Sequence, residues 1–244
     1  MAKKTTLSLK TMKENGEKIT MITAYDYSSA TLAQKAGIDM ILVGDSLQMV
    51  MMGDSSTIAA TTDDMIHHTK AVMAGAPDTF VVTDMPFGSC SSAMTAIENA
   101  TRIMKEGRCD AVKIEGGVNM APIIKAVVDA GIPVVGHIGL TPQTTSKLGG
   151  FKIQGKGEAA GEVLKDALAV QEAGAFMIVL ECVPAELSTL ISQRLDVPTI
   201  GIGAGNGTDG QVLVYHDLLG LFDKFVPKFV KVYRKIGSEI EAGI

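Results

Sequence analysis

The stretch NMAPIIKAVVDAGIPVVGH, residues 119–137, decides how the chain folds. Ile123, Ile124, Val127 and Val128 recur at the spacing of one helix face, and Asn119 is placed to cap that helix. Gly131 follows, and glycine just past a helix takes a left-handed backbone without a Cβ clash. The run Pro133–Gly136 comes next, apolar at successive positions, and it ends on a polar residue, His137. A strand that is apolar on both faces belongs to a parallel sheet covered by helices.

The same punctuation recurs along the chain. Gly37, Gly75, Gly107 and Gly174 each end an apolar-periodic segment and precede a short apolar run. The strands read as Ile38–Val43, Phe80–Thr83, Ala111–Ile114, Phe176–Leu180 and Thr199–Ile202. Thr20–Ala24 and Gln211–Tyr215 bring the number to eight, although the stretch 209–223 also reads as the start of a helix. Helix starts are marked by Thr61 with Asp64 as a capping box, by Ser91 or Ser92, and by Pro184 in a first helical turn. Eight units in 244 residues leave about 30 each, the size of one βαβ step. The chain is expected to form one domain over residues 1–244, an α/β fold of the (β/α)8 TIM-barrel type, with a doubly wound open sheet as runner-up.

Composition narrows the function. Lys and Arg number 22 against 27 Asp and Glu, a net charge of −5, which lacks the basic footprint of a nucleic-acid binder. No apolar run approaches the roughly 20 residues of a membrane helix, and the start MAKKTTLSLK lacks the apolar stretch of a secretory signal. Cys90, Cys109 and Cys182 are odd in number and far apart, so reduced thiols and a cytoplasmic location are expected.

In a (β/α)8 barrel the chemistry sits at the C-terminal ends of the strands. Strand two runs into Asp45 and Ser46, strand three into Asp84, strand five into His137 and strand six into Glu181. Strand four carries Lys113 and Glu115, two apart and so on one side. Any one of these is readily an ordinary ion pair; the set at one mouth is not. Converging acids call for a divalent cation, and oxygen donors favour Mg2+ over Zn2+. An α-keto acid would chelate such an ion through its keto and carboxylate oxygens. Its enolate would be stabilised there, and a spare carboxylate would take the α proton.

Other features read as bystanders. GNGTDG at 205–210 matches GxGxxG but lacks a clear strand–turn–helix context. His67 and His68 are adjacent on a helix and read as solvated. Met49, Met51 and Met52 read as routine gap-fillers in preference to the lining of an apolar pocket. The polar segment Thr141–Gly157 is longer than most βα loops and reads equally as a lid or as a surface insertion.

Longer motifs carry a family likeness: TAYDYSSA at 23–30, LVGDSL at 42–47, GDSST at 53–57, DMIHHTKAV at 64–72, DMPFGS at 84–89 and VKIEGG at 112–117. GHIGLTPQ at 136–143, GGFKIQGKG at 149–157, LECVP at 180–184, GIGAGNGTDGQVLV at 201–214 and PKFVK at 227–231 continue it. Over nearly its whole length the chain resembles the ketopantoate hydroxymethyltransferase family. Gln48, where the family usually has Gly, the sequence Ile58-Ala59-Ala60 and the stop at Ile244 depart from its pattern.

The resemblance implies a barrel of the phosphoenolpyruvate/pyruvate type. It implies hydroxymethyl transfer from 5,10-methylenetetrahydrofolate to 3-methyl-2-oxobutanoate. It puts Asp45, Asp84 and Glu115 at Mg2+, and Asp45, Ser46, Asp84 and Lys113 on the keto acid. His137 lies in a matching motif and is placed to hydrogen-bond substrate or product, and Glu181 is the implied proton acceptor. It further implies a homo-oligomer, commonly a decamer. Two alternatives stand beside it. One is a Mg-dependent carbon–carbon lyase of the same superfamily, against which the lack of a KKCGH-like motif argues. The other is a non-catalytic keto-acid-binding barrel.

Overall fold

A computed structural model describes residues 3–244; Met1 and Ala2, the first two positions of the expected domain, lie outside the described residues. Eight parallel strands pair in chain order: β1 (Ile19–Thr23), β2 (Met40–Val43), β3 (Phe80–Asp84), β4 (Ala111–Glu115), β5 (Val134–Gly139), β6 (Met177–Glu181), β7 (Thr199–Ile202) and β8 (Gly210–Leu213). β8 pairs with β1, so the sheet is a closed barrel and not the open alternative. Helix α1 (Thr6–Glu14) precedes the barrel. Between strands run α2 (Tyr27–Lys35), α3 (Leu47–Val50), α4 (Thr62–Gly75), α5 (Ala93–Arg102), α6 (Ala121–Asp129), α7 (Thr145–Leu148), α8 (Ala160–Glu172) and α9 (Ala185–Arg194). A loop joins β7 to β8, and α10 (Tyr215–Leu218) and α11 (Ile236–Gly243) follow.

The strands are apolar on both faces because they separate two apolar layers. Side chains such as Ile41, Val81, Val112, Ile178 and Leu180 pack outward against the helices. Met40, Phe80, Val82, Val135, Met177, Val179 and Ile200 fill the barrel interior, and Leu9 and Met12 of α1 join them. Helix α1 therefore stoppers the N-terminal end. Three ion pairs fasten that end, Lys3–Asp110 (2.8 Å), Lys4–Asp39 (3.4 Å) and Lys13–Asp209 (2.8 Å). The same carboxylates accept backbone N–H groups from Val81, Thr20 and Thr199, tying the bottoms of neighbouring strands.

Local expectations fare unevenly. The Thr61–Asp64 capping box forms at α4, and Ser92, not Ser91, caps α5. Asn119 does not cap α6: Met120 holds the cap position and Pro122 lies in the first turn, where no N–H is needed. Pro184 stands just before α9, not within it. β2 begins two residues later than its apolar run, β5 extends to Gly139, and Tyr215 belongs to α10, so within 209–223 only Tyr215–Leu218 is helical.

Gly37, Gly131 and Gly174 are left-handed, with φ of 80°, 87° and 95°. Gly75 and Gly107 are not, and the left-handed residue after Gly107 is Arg108. These two glycines answer to space. A Cβ on Gly75 would lie 2.3 Å from the carbonyl oxygen of Tyr27, and one on Gly107 would lie 2.9 Å from Thr69 Cγ2. Gly107 closes a π-helical turn, Ile103–Gly107, seated against α4.

This difference is measurable by urea denaturation. Gly131→Ala meets open space and incurs only left-handed strain, about 1–2 kcal/mol. Gly75→Ala drives a methyl into backbone and is expected to destabilise by more, about 3 kcal/mol. Equal losses in the two variants would refute the packing account.

Asp217 on α10 gives a pH signature. Burial pushes its carboxyl up from 3.8 to about 6. The folded chain then keeps this proton at pH values where the unfolded chain has lost it, so the associated stability falls as pH rises from about 4 through about 6. Asp217→Asn is expected to raise Tm at pH 7.5 and to match the wild type near pH 4. Parallel Tm–pH curves would contradict this.

Candidate active site

Alternate side chains of a barrel strand point inward. On β3 the inward column reads Phe80, Val82, Asp84; on β4 Ala111, Lys113, Glu115; on β5 Val135, His137; on β6 Met177, Val179, Glu181. Each column is apolar below and charged at its C-terminal end. The register sets Asp84 opposite Lys113, and Glu115 opposite His137. Asp45 and Ser46 enter from the turn after β2.

Lys113 Nζ lies 3.0 Å from Asp84 Oδ1, 3.0 Å from His137 Nδ1 and 3.9 Å from Glu115 Oε1. His137 spans the mouth, with Nδ1 at 3.2 Å from Glu115 Oε1 and Nε2 at 3.1 Å from Glu181 Oε2. The backbone N–H of Asp45 donates to Asp84 Oδ2 (3.0 Å). Ser46 Oγ and the Tyr25 hydroxyl are hydrogen-bonded at 2.8 Å. All seven residues singled out in the sequence, Asp45, Ser46, Asp84, Lys113, Glu115, His137 and Glu181, stand at this one end. The Lys113 side chain is 4% exposed and that of Glu181 15%, so Glu181 is the more accessible charge.

The electrostatics show a cluster short of positive charge. Burial, followed by Asp84 and Glu115, holds the Asp45 carboxyl well above the usual range. Burial likewise raises Asp84, against the pull of Lys113. Glu115 sits low, because the charge and hydrogen bonding of His137, with help from Lys113, outweigh its burial. Lys113 is raised: burial works against its charge, but Asp84, Glu115 and Asp45 outweigh it. His137 feels burial and Lys113 pulling it down, yet Glu115 and Glu181 lift it to about 9. Its Nδ1 faces an ammonium and a carboxylate, whereas Nε2 faces only the Glu181 carboxylate, so Nε2 carries a proton.

The residues suit a hard cation. Each of three carboxylates has one oxygen held by an N–H donor: Asp45 Oδ2 by Gln143 Nε2, Asp84 Oδ2 by the Asp45 backbone, and Glu115 Oε2 by the Gln143 backbone. The other buried oxygens of Asp84 and Glu115 have charge contacts but no aligned hydrogen bond. Among the described residues no three His, Cys, Asp or Glu side chains form a ready-made ligand group. Carboxylate oxygens of this kind match Mg2+, which takes one or two carboxylates and completes its octahedron with water and substrate oxygens.

Three contributors to the site escaped the sequence reading. Gln143 reaches in from the segment after β5. Tyr25 is buried and sets Ser46. His68, taken as solvated, binds the Tyr25 carbonyl through Nδ1 at 2.6 Å, while His67 is exposed as expected. The segment Thr141–Gly157 opens with a 3-10 turn that carries Gln143 into the mouth, and its Gln154 N–H donates to Cys182 O. Met51 and Met52 are exposed and do not fill the core; Met49 is half-buried. Residues 205–210 lead into β8 and not into a helix, and their glycines admit Ala185, Thr189 and Ile19 at close range.

The comparisons agree with this architecture. A family model described as ketopantoate hydroxymethyltransferase matches residues 3–244. The 3-methyl-2-oxobutanoate hydroxymethyltransferase of Heliobacterium modesticaldum is 59% identical over 247 residues, covering 100% of this chain and 90% of its own. That of Moorella thermoacetica is 58% identical, covering 97% and 88%. Among solved structures, a 2,3-dimethylmalate lyase of the PEP mutase/isocitrate lyase superfamily superposes with a TM-score of 0.67 at 16% identity, covering 98% of this chain and 81% of that one. A phosphonopyruvate hydrolase complexed with oxalate and Mg++ gives 0.66 at 14%, covering 88% and 80%. At these identities the solved structures speak for the barrel alone, while the full-length sequence matches place the chain in the ketopantoate hydroxymethyltransferase family.

Proposed function

We propose that this chain transfers a hydroxymethyl group from 5,10-methylenetetrahydrofolate to 3-methyl-2-oxobutanoate, giving 2-dehydropantoate and tetrahydrofolate. The observation that carries the reading is the division of labour among the acids. Three carboxylates are clustered around Lys113, and a fourth, Glu181, stands apart across His137. Family membership supplies the substrates.

Asp45, Asp84 and Glu115 would hold Mg2+, directly or through water. Held there, Mg2+ would supply Lewis-acid polarisation of the keto oxygen, an effect of the order of several kcal/mol. Ser46, its hydroxyl set by Tyr25, orients the keto acid with Asp45 and Asp84. Lys113 brings a fixed positive charge to the anionic substrate. Glu181 takes the proton from C3, and the C–H electron pair moves into the C2–C3 bond of an enolate. C3 then attacks the methylene carbon of the folate iminium, forming the new C–C bond. Water replaces the folate nitrogen on that carbon, and the nitrogen leaves with its electron pair as the amine of tetrahydrofolate. His137 Nε2–H faces Glu181 throughout, steadying its charge and standing ready for the product hydroxyl.

Further elements of the reading are a homo-oligomer, a decamer on the family pattern, and a cytoplasmic location. Exposed Phe225, Phe229, Tyr233 and Ile240 on the C-terminal segment support self-association. No helix among the described residues is long and apolar enough to cross a membrane.

Two measurements test the chemistry. With Mg2+ and no folate, NMR in D2O is expected to show deuterium entering C3 of 3-methyl-2-oxobutanoate, and Glu181→Gln is expected to slow it roughly 100-fold or more. Exchange at the wild-type rate in that variant would remove Glu181 from the role of base. Coupled turnover with methylenetetrahydrofolate is expected to stop after exhaustive chelation and to return with added Mg2+. Undiminished turnover in chelator would overturn the metal assignment.

A further inference from the structure

Gln143 touches more of the acid cluster than any group outside it. Its side-chain Nε2 donates to Asp45 Oδ2 at 2.8 Å and to the carbonyl of Met85 at 3.0 Å. Its backbone N–H donates to Glu115 Oε2 at 3.1 Å. Both side-chain partners are acceptors, so the amide must present its NH2 group to them, and its two hydrogens serve one each. One residue after β5 thus joins the turn after β2, the end of β3 and the tip of β4.

These contacts have a consequence for the carboxylates. A carboxylate can rotate and offer either oxygen, and a hydrogen bond to one oxygen fixes which remains. Gln143 occupies one oxygen of Asp45 and one of Glu115. Asp84, the third acid, is fixed by the Asp45 backbone. What remains on Asp84 and Glu115 is one buried oxygen each, with ion-pair contacts to Lys113 and His137 but no aligned hydrogen bond, beside the second oxygen of Asp45 on the neighbouring strand end. Donors that orient ligating carboxylates typically govern affinity as strongly as a weak ligand does.

We infer that Gln143 is a positioning residue for the cation: it turns Asp45 and Glu115 so that their remaining oxygens face a divalent ion. This rests on the Mg2+ reading above. It assigns the first turn of the 141–157 segment to the site itself, whatever the remainder of that segment does. The amide is required as a donor of two hydrogen bonds. A carboxylate in its place would set an acceptor against two acceptors, and a thioether would offer neither hydrogen.

The test is isothermal titration of the full chain with MgCl2, without keto acid or folate, alongside thermal melts. Gln143→Met keeps length and volume but removes both donors. It is expected to weaken Mg2+ binding roughly 10–100-fold while Tm stays near that of the wild type. Gln143→Asn keeps the amide but is one methylene too short to reach Asp45 and Met85 together. It is also expected to weaken binding, and it decides the matter if the Met variant does not fold. Thr144→Val, a neighbour on the same turn, is expected to bind as the wild type does. Mg2+ affinity within twofold of the wild type in the folded Gln143 variants would overturn the inference. So would an equal loss in Thr144→Val, which would place the effect in the loop as a whole. A wild-type chain that takes up no Mg2+ would overturn the metal reading beneath it, which is a separable outcome.

Discussion

Lys113 carries its charge 4% exposed at the top of the barrel interior, and it can do so only because Asp84 faces it across the β3–β4 ladder at 3.0 Å. Desolvating an ammonium without a partner is prohibitive, and breaking a buried pair typically costs about 3–5 kcal/mol. The arrangement has no slack. Asp84 needs Lys113, Lys113 draws in Glu115, Glu115 pairs with His137, and His137 reaches Glu181. The chain of contacts still leaves more carboxylates than cations. A site that folds with unspent negative charge is poised for a cation or for a proton. The upward shifts at Asp45 and Asp84 show where that deficit lies.

The opposite end of the barrel is built on the same chemistry with a different outcome. Asp39, Asp110 and Asp209 also stand at strand ends, but each is paired with a lysine from the N-terminal segment and satisfied by a backbone N–H. There the acids are consumed in holding α1 and the strand bottoms together. At the C-terminal mouth the acids are held through one oxygen each, and the other oxygens of Asp84 and Glu115 have ion-pair contacts but no aligned hydrogen bond. The contrast matches the separation of stability from chemistry that a (β/α)8 barrel provides.

How much of this was legible in the sequence depends on whether the information is local. The parity of Ala111, Lys113 and Glu115 is visible in five consecutive residues, and it correctly puts both charges on one side of β4. The acids that end β3 and β6 were legible for the same reason. Gln143 was not, because nothing in a polar segment says that one amide will fold back to a carboxylate 98 positions earlier in the chain. His68 was missed likewise, since its partner is a backbone carbonyl on the turn after β1. Gly75 and Gly107 were found but misread. Their helix-ending position was local, whereas the carbonyl of Tyr27 and the methyl of Thr69 that exclude a side chain come from other elements.

The treatment of Glu181 completes the logic of the site. Its carbonyl accepts the Leu140 N–H at 2.8 Å, close enough that a side chain on Gly139 would strike it. The next residue, Cys182, is held left-handed at φ 49°, a conformation that costs a non-glycine residue about 1 kcal/mol or more. Its N–H donates to Ile202 O on β7, and its carbonyl accepts the Gln154 N–H from the 141–157 segment. The backbone at the end of β6 is thus clamped from both neighbouring strands and from the long segment. The side chain, by contrast, meets His137 and is the least buried of the three acids, Asp84, Glu115 and Glu181, that make ion-pair contacts at the mouth. The proton-acceptor role proposed for Glu181 calls for a fixed root, so that it meets the same C–H bond in every turnover, and an open tip, so that the bond can reach it. The backbone hydrogen bonds that clamp the end of β6 supply the first, and the place of the side chain at the edge of the charge cluster supplies the second.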